Sequence, residues 1–197
     1  MQIMSELIVN AQNYVSGLLE KLKYDLVFHN MNHTYEVVEA AKEIALHSNL
    51  SDRDLHILVT AAWFHDCGYS KVYKGHEEAS IKIAEVFLKA QGCGQDFIVA
   101  VSDCIRATKF PQFPQSNMEE ILCDADLYHF ARPNYPKYEA AIRCEFDVFM
   151  GKVYSDEEWK EFNCKTLSAH TYFTEYGKKV LTKFKEVNLF FLGCTPK

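Results

Sequence analysis

Three short segments set metal-binding residue types against strongly apolar sequence. They are Phe28-His29-Asn30-Met31-Asn32-His33-Thr34, Ala61-Ala62-Trp63-Phe64-His65-Asp66-Cys67-Gly68 and Ile121-Leu122-Cys123-Asp124-Ala125-Asp126-Leu127. Asp66, Asp124 and Asp126 all have apolar neighbours, so burial of some carboxylate is expected. An ionised carboxylate buried alone costs several kcal/mol and needs a cation, a hydrogen-bond network or a metal beside it. Imidazole and carboxylate together suit borderline divalent ions such as Mn, Fe, Co, Ni or Zn. Taken singly, each residue has a plainer reading, an aspartate as a helix cap or a histidine satisfied in a core. The adjacent His65-Asp66 pair is weak by itself, because neighbouring helical residues diverge by about 100°.

The elements that must hold these segments read as successive amphipathic helices. Ser5 caps a first, with the apolar stripe Leu7, Ile8, Val15, Leu18, Leu19 and Leu22. A second runs from about Asn32 to Ser48 and buries Val37, Val38, Ala41, Ile44 and Ala45. Ser51-Asp52-Arg53-Asp54 opens a third, which continues through Leu55, Leu58, Val59, Ala62 and Trp63 to His65-Asp66. Gly68 ends it as a left-handed C-terminal residue. A fourth covers Gly75 to Gln91, with Ile81, Ala84, Phe87 and Leu88 inward, and a fifth covers Asp96 to about Ala107. Residues 108–117 form a loop of interleaved proline and phenylalanine, followed by a short helix from Met118 to about Phe130. Arg132 to Pro136 breaks it, another helix spans Lys137 to Met150, and Ser155-x-x-Glu158 is a capping box that launches the last helical region. No repeat, low-complexity tract or linker divides the chain. One all-helical domain over residues 1–197 is expected, with a C-terminal extension from about 131.

Composition narrows the classes. With 197 residues, 48% hydrophobic and 24% charged, the chain is an ordinary globular one. No proline precedes Pro111, which favours helices over strands and turns. A formal net charge of −6 argues against a nucleic-acid polymer as partner. The seven cysteines are odd in number and never spaced as CxxC, so free thiols in a reducing cytoplasm are expected. The N-terminus lacks a signal-peptide pattern, and no apolar run approaches the ~18 residues a bilayer requires.

An upstream His, a His-Asp doublet after an apolar helix and a downstream Ala-Asp pair together form an ordered set. It resembles the HD superfamily of metal-dependent phosphohydrolases, whose pattern H…HD…D matches His33, His65-Asp66 and Asp126. The flanks "HTYEVVEAA", "AAWFHDCGY" and "ILCDADL" are similar too, and the resemblance spans roughly residues 20 to 130. It implies an orthogonal multi-helix bundle holding one or two divalent ions, Mg among those admitted. His33, His65, Asp66 and Asp126 would bind the primary ion, and Asp124 would be a cap or a carboxylate behind the ligands. The ion would lower the pKa of a bound water toward about 7. Asp66, binding through one oxygen, would take that water's proton through the other. Phe28-His29-Asn30-x-x-His33 is similar to an element of cyclic nucleotide phosphodiesterases in which the first His protonates the leaving oxygen, a role that would fall to His29. Hydrogen bonding to the backbone ahead of the second helix is the alternative for His29.

His76 stands where binuclear relatives place a ligand for a second metal. Those relatives need a further His where this chain has Ile105-Arg106-Ala107-Thr108, so a mononuclear site or a weakly held second ion is expected, with His76 a ligand of that second ion, near substrate or behind the ligands, and Glu77 an acid/base candidate. Lys71 and Lys74, Arg106 and Lys109, and Arg132 lie near the motifs in sequence; Arg106, Lys109 and Lys71 are the candidate phosphate contacts. Phe110 and Phe113 either stack a base as a lid or pack beneath the loop. After residue 150, "HTYFTEYGKKVLTKFKEVN" is an amphipathic helix with a basic edge, whose aromatics pack on the bundle or form a homodimer face. The implied function is hydrolysis of a small phosphoester, in the first place a nucleotide, with no membrane partner. Two alternatives stay open: a di-iron oxygenase-like HD protein and a non-catalytic nucleotide-binding sensor.

Overall fold

The computed structural model describes residues 2–21 and 26–194. Among them there is no strand, and the fold is all-α. The helices are α1 (Gln2–Leu19), α2 (Met31–Ala45), α3 (Asp52–Phe64), α4 (His76–Ala90), α5 (Gln95–Ala107), α6 (Asn117–Asp126), α7 (Tyr135–Glu145), α8 (Asp156–Ala169) and α9 (Thr182–Phe191). The chain groups into two compact units, Met1–Asp25 with His29–Asp126, and Leu26–Phe28 with Leu127–Lys197.

In the first unit α3 is the axis. Ser51 and Asp54 start it with a reciprocal capping box, as the sequence pattern requires. From Ile57 to Phe64 every residue is buried, because α1, α2, α4, α5 and α6 all pack against this helix. An enclosed helix delivers its C-terminus into the interior, and His65-Asp66 follows directly. The expected stripes of α2 and α4 are buried. In α1, Leu7, Val15 and Leu19 are buried and Ile8 and Leu18 half-buried, while Leu22 lies outside the described residues.

Three expectations are corrected. Helix α1 begins at Gln2, ahead of Ser5, so Ser5 does not cap it; Gln2, Ile3 and Met4 tolerate helix well enough to extend the start. Gly68 is not left-handed but lies in a 3-10 turn, Cys67–Ser70, and it is needed for closeness. Its N–H donates to Ser80 Oγ at 2.8 Å, and a Cβ there would overlap the His76 carbonyl oxygen and come within 2.6 Å of the Ser80 amide nitrogen. The cysteines are not all free: Cys164 and Cys194 form a disulfide across 30 residues, their Cα atoms 5.4 Å apart. That span is within normal disulfide reach, and scattered spacing could not reveal it.

The second unit is held by an apolar cluster of Phe130, Tyr135 and Leu167 and by many buried polar groups. Asn188 Nδ2 donates to the Phe130 and Arg132 carbonyls at 2.8 and 2.9 Å, and the Phe28 N–H donates to Glu145 Oε1 at 2.6 Å. Lys185, placed by its periodicity on a basic edge, is buried: its ammonium donates to the His170 carbonyl and lies 5.7 Å from the Tyr172 ring centre. Burial and that ammonium push the His170 imidazole down to about 3, leaving it a neutral ring packed edge-on against Phe130 and Tyr172. No helix among the described residues is long and apolar enough to cross a membrane.

Gly68→Ala should lower stability by about 1–3 kcal/mol, because the added methyl must displace the start of α4. Gly17→Ala, with nothing within 4 Å of its Cβ position, should be neutral or slightly stabilising. Urea unfolding midpoints of the two variants check this, and wild-type stability in Gly68→Ala would contradict the close approach.

Candidate metal centre

Helix ends converge to build the site. Asn30 caps α2, its side chain accepting the N–H groups of Asn32 and His33 at 2.9 and 3.3 Å, and so fixes the turn that presents His33. The end of α3 supplies His65 and Asp66, and the last residue of α6 is Asp126. His33 Nε2 lies 3.4 Å from Asp66 Oδ2 and 3.3 Å from Asp126 Oδ1. His65 Nε2 lies 3.2 and 3.6 Å from the same two oxygens. Donors around an ion at about 2.0–2.2 Å stand roughly 3.0–3.6 Å apart, and these four imidazole–carboxylate spacings are of that size.

The buried polar atoms support the same fit. His65 Nε2 and Asp66 Oδ2 are buried and face each other without the alignment of a hydrogen bond. The other ring nitrogen of His65, Nδ1, donates to the Ala62 carbonyl at 2.8 Å, which leaves the Nε2 lone pair directed at the cluster. Asp66 divides its oxygens, Oδ2 toward the two imidazoles and Oδ1 toward His76 Nε2 at 3.3 Å. His76 is held by Nδ1–H to the Tyr73 carbonyl at 3.3 Å, and Gly75, at φ 75°, turns the chain into the helix it begins.

The electrostatics of these groups are mutual. Burial alone would push the His33 imidazole down; the Asp126 and Asp66 carboxylates outweigh it and raise it to about 9. The same contest holds His65 well above its ordinary value. Burial would raise Asp66 and Asp126, but the imidazoles facing them hold both well below the usual carboxylate range. In the metal-free state protons on the imidazoles thus balance the buried negative charge, a balance that a divalent cation can take over.

A family model described as the HD domain matches residues 30–131, just over half of the 197-residue chain. The chain belongs to the HD-domain family. Among solved structures it is similar to a predicted HD superfamily hydrolase from an uncultured Thermotogales bacterium, at 22% identity and a TM-score of 0.65 over 93% of this chain and 88% of that one. The likeness is one of fold. No match was found among curated proteins. HD domains form a superfamily of metal-dependent hydrolases, and the His33, His65 and Asp66 donors, gathered within 4.8 Å, are of the type that could hold the ion.

Around the HD cluster, His29 lies 5.8 Å from His33 between ring centres and stacks on Tyr69 at 4.3 Å. Tyr69 stacks in turn on His76 at 3.8 Å. This buried tyrosine, three residues after Asp66, escaped the sequence reading, as did the capping role of Asn30. An aromatic in "DCGYSKVY" was the available signal for the first, and Asn ahead of a helix for the second. Glu77 is buried with Oε2 at 3.9 Å from His76 Nδ1. Asp124 is fully buried, and it is Asp126 whose oxygen meets the imidazoles. Lys71 is exposed. Arg106 pairs with Asp103 at 2.6 Å and Glu78 at 3.8 Å, and with Lys109 it lines a cleft that includes no side chain of the HD cluster.

The His33 shift predicts how metal binding responds to pH. Its folded pKa of about 9 exceeds its ordinary 6.5, so its stabilising effect in the metal-free protein is full below pH 6.5 and fades as pH rises toward 9. Metal must displace that proton. Because His65 is raised as well, apparent affinity for Mn2+, followed by calorimetry, should rise about ten- to a hundredfold per pH unit between about pH 7 and 9, with release of about one to two protons. An affinity flat across that interval would contradict the arrangement.

Proposed function

We propose that this HD protein is a metal-dependent phosphohydrolase acting on a small phosphoester, in the first place a nucleotide. The observation that carries the reading is the meeting of the His33 and His65 imidazoles with the Asp66 and Asp126 carboxylates, each imidazole 3.2–3.6 Å from both, with His29 one ring away. When bound, a divalent ion supplies Lewis-acid charge for phosphoryl oxygens and makes water acidic enough to react near neutrality.

The protein's own groups do the rest in this proposal. His33, His65, Asp66 and Asp126 hold the ion. Asp66 keeps Oδ1 turned toward His76, so a proton taken at that oxygen has an imidazole 3.3 Å away to receive hydrogen-bonding support. His29 protonates the leaving oxygen, its ring oriented by the Tyr69 face. Glu77, against His76, is the reserve acid/base group. Lys71 and Lys109 are assigned to phosphate oxygens, Arg106 being engaged by Asp103 and Glu78, and the setting to the cytoplasm, with five free cysteines in favour and the Cys164–Cys194 disulfide against.

Two rival readings are less well supported. Thr108, which stands where a di-iron site would need a histidine, offers only a hydroxyl, and that hydroxyl donates to the Ile105 carbonyl at 2.8 Å. The gathered donor set also argues against a non-catalytic sensor.

Turnover of nucleotide mono-, di- and cyclic phosphates by protein loaded with Mn, Co, Ni, Fe, Zn or Mg tests the proposal. His29→Asn should retain metal and lose about 10²–10⁴-fold in kcat, as removal of a general acid does. Full metal occupancy without turnover on any phosphoester would refute it.

A further inference from the structure

The connection between α5 and α6 forms one wall of an open cleft of about 480 Å3, within the ~300–1,000 Å3 of small-molecule sites. That wall is pinned from behind. Gln112 Nε2 donates to the Cys123 carbonyl at 3.4 Å, while the Gln115 N–H and Ser116 Oγ donate to the two oxygens of Glu119 at 2.7 and 2.9 Å. Phe113, between these anchors, and Phe110, just ahead of them, stand 79% and 73% exposed. The loop therefore holds two aromatic faces in water and does not bury them under itself.

The charges of the cleft are already sorted. Arg106 is engaged by Asp103 and Glu78, and Glu119 by the loop. The ammonium of Lys109 has no ion pair or hydrogen bond among the described residues, which leaves one uncommitted positive charge beside the two rings. Gln115 spends its Nε2 on the Phe113 and Pro114 carbonyls, and its Oε1 accepts nothing among the described residues. Aromatic faces, one cation and an amide oxygen together match a planar base with an exocyclic amine that carries an anionic group. Glu78, which pairs with Arg106 of the cleft at 3.8 Å, stands two residues after His76 on α4.

We propose that this cleft binds the nucleoside half of the substrate, with the base on Phe110 and Phe113 and Lys109 beside the phosphate. This rests on the reading of the substrate as a nucleotide. Calorimetry with adenosine 5′-monophosphate on the metal-stripped full chain tests it apart from turnover. Binding should be saturable and about tenfold weaker in Phe113→Ala and in Lys109→Ala. Phe184→Ala, which removes an exposed ring on α9, should leave it unchanged. No saturable binding, or equal affinity in Phe113→Ala and wild type, would overturn the assignment even if the metal-loaded enzyme hydrolyses phosphoesters. Phe113-dependent binding by an enzyme without turnover would uphold the cleft and sink the hydrolase reading instead.

Discussion

Two carboxylates, Asp66 and Asp126, meet the imidazoles of His33 and His65 in the interior of a helical bundle, and the first unit is organised around that encounter. Burying negative charge is costly, and here the compensation is reciprocal: the carboxylates hold His33 and His65 protonated above their ordinary range, and the imidazoles hold the carboxylates ionised. Such a cluster is self-consistent with protons on its imidazoles or with a divalent ion at its centre. It is not self-consistent empty of positive charge. Those two states compete for the same buried negative charge, which would couple metal binding at this centre to pH.

Rigid elements set the geometry. Helix α3 is buried from Ile57 to Phe64, so its end has little freedom, and the Ala62 carbonyl fixes which nitrogen of His65 turns toward the cluster. Gly68 lets the next turn of chain lie against the start of α4, which brings His76 to the second oxygen of Asp66. Asn30 performs the same service for His33 by closing the first turn of α2. Each device holds a side chain of the cluster where a small shift would separate groups now 3.2–3.6 Å apart.

Much of this was legible in the residues. The helices of the first unit follow from apolar periodicity, and the donors His33, His65, Asp66 and Asp126, named from their order along the chain, do lie together. Periodicity and motif order speak of helix faces and residue types, and where contact decides they fall silent. Tyr69 stacks on two histidines, yet it reads as one more aromatic in an apolar segment. Gly68 reads as a helix stop, although its reason is a neighbour eight residues on. The salt partners of Arg106 and the Cys164–Cys194 pairing are matters of tertiary distance alone. In the second unit Lys185, Asn188 and Glu145 are buried by hydrogen bonds to backbone, which a polar residue's place on a helical wheel does not announce.

Elemental analysis of the purified protein beside His65→Ala tests the central claim most directly. One divalent ion per chain in wild type, and less than a tenth of that in a variant that keeps its helical circular dichroism, is the predicted result. Equal metal content in the two, or none in wild type after exposure to Mn, Fe, Co, Ni and Zn, would contradict the account.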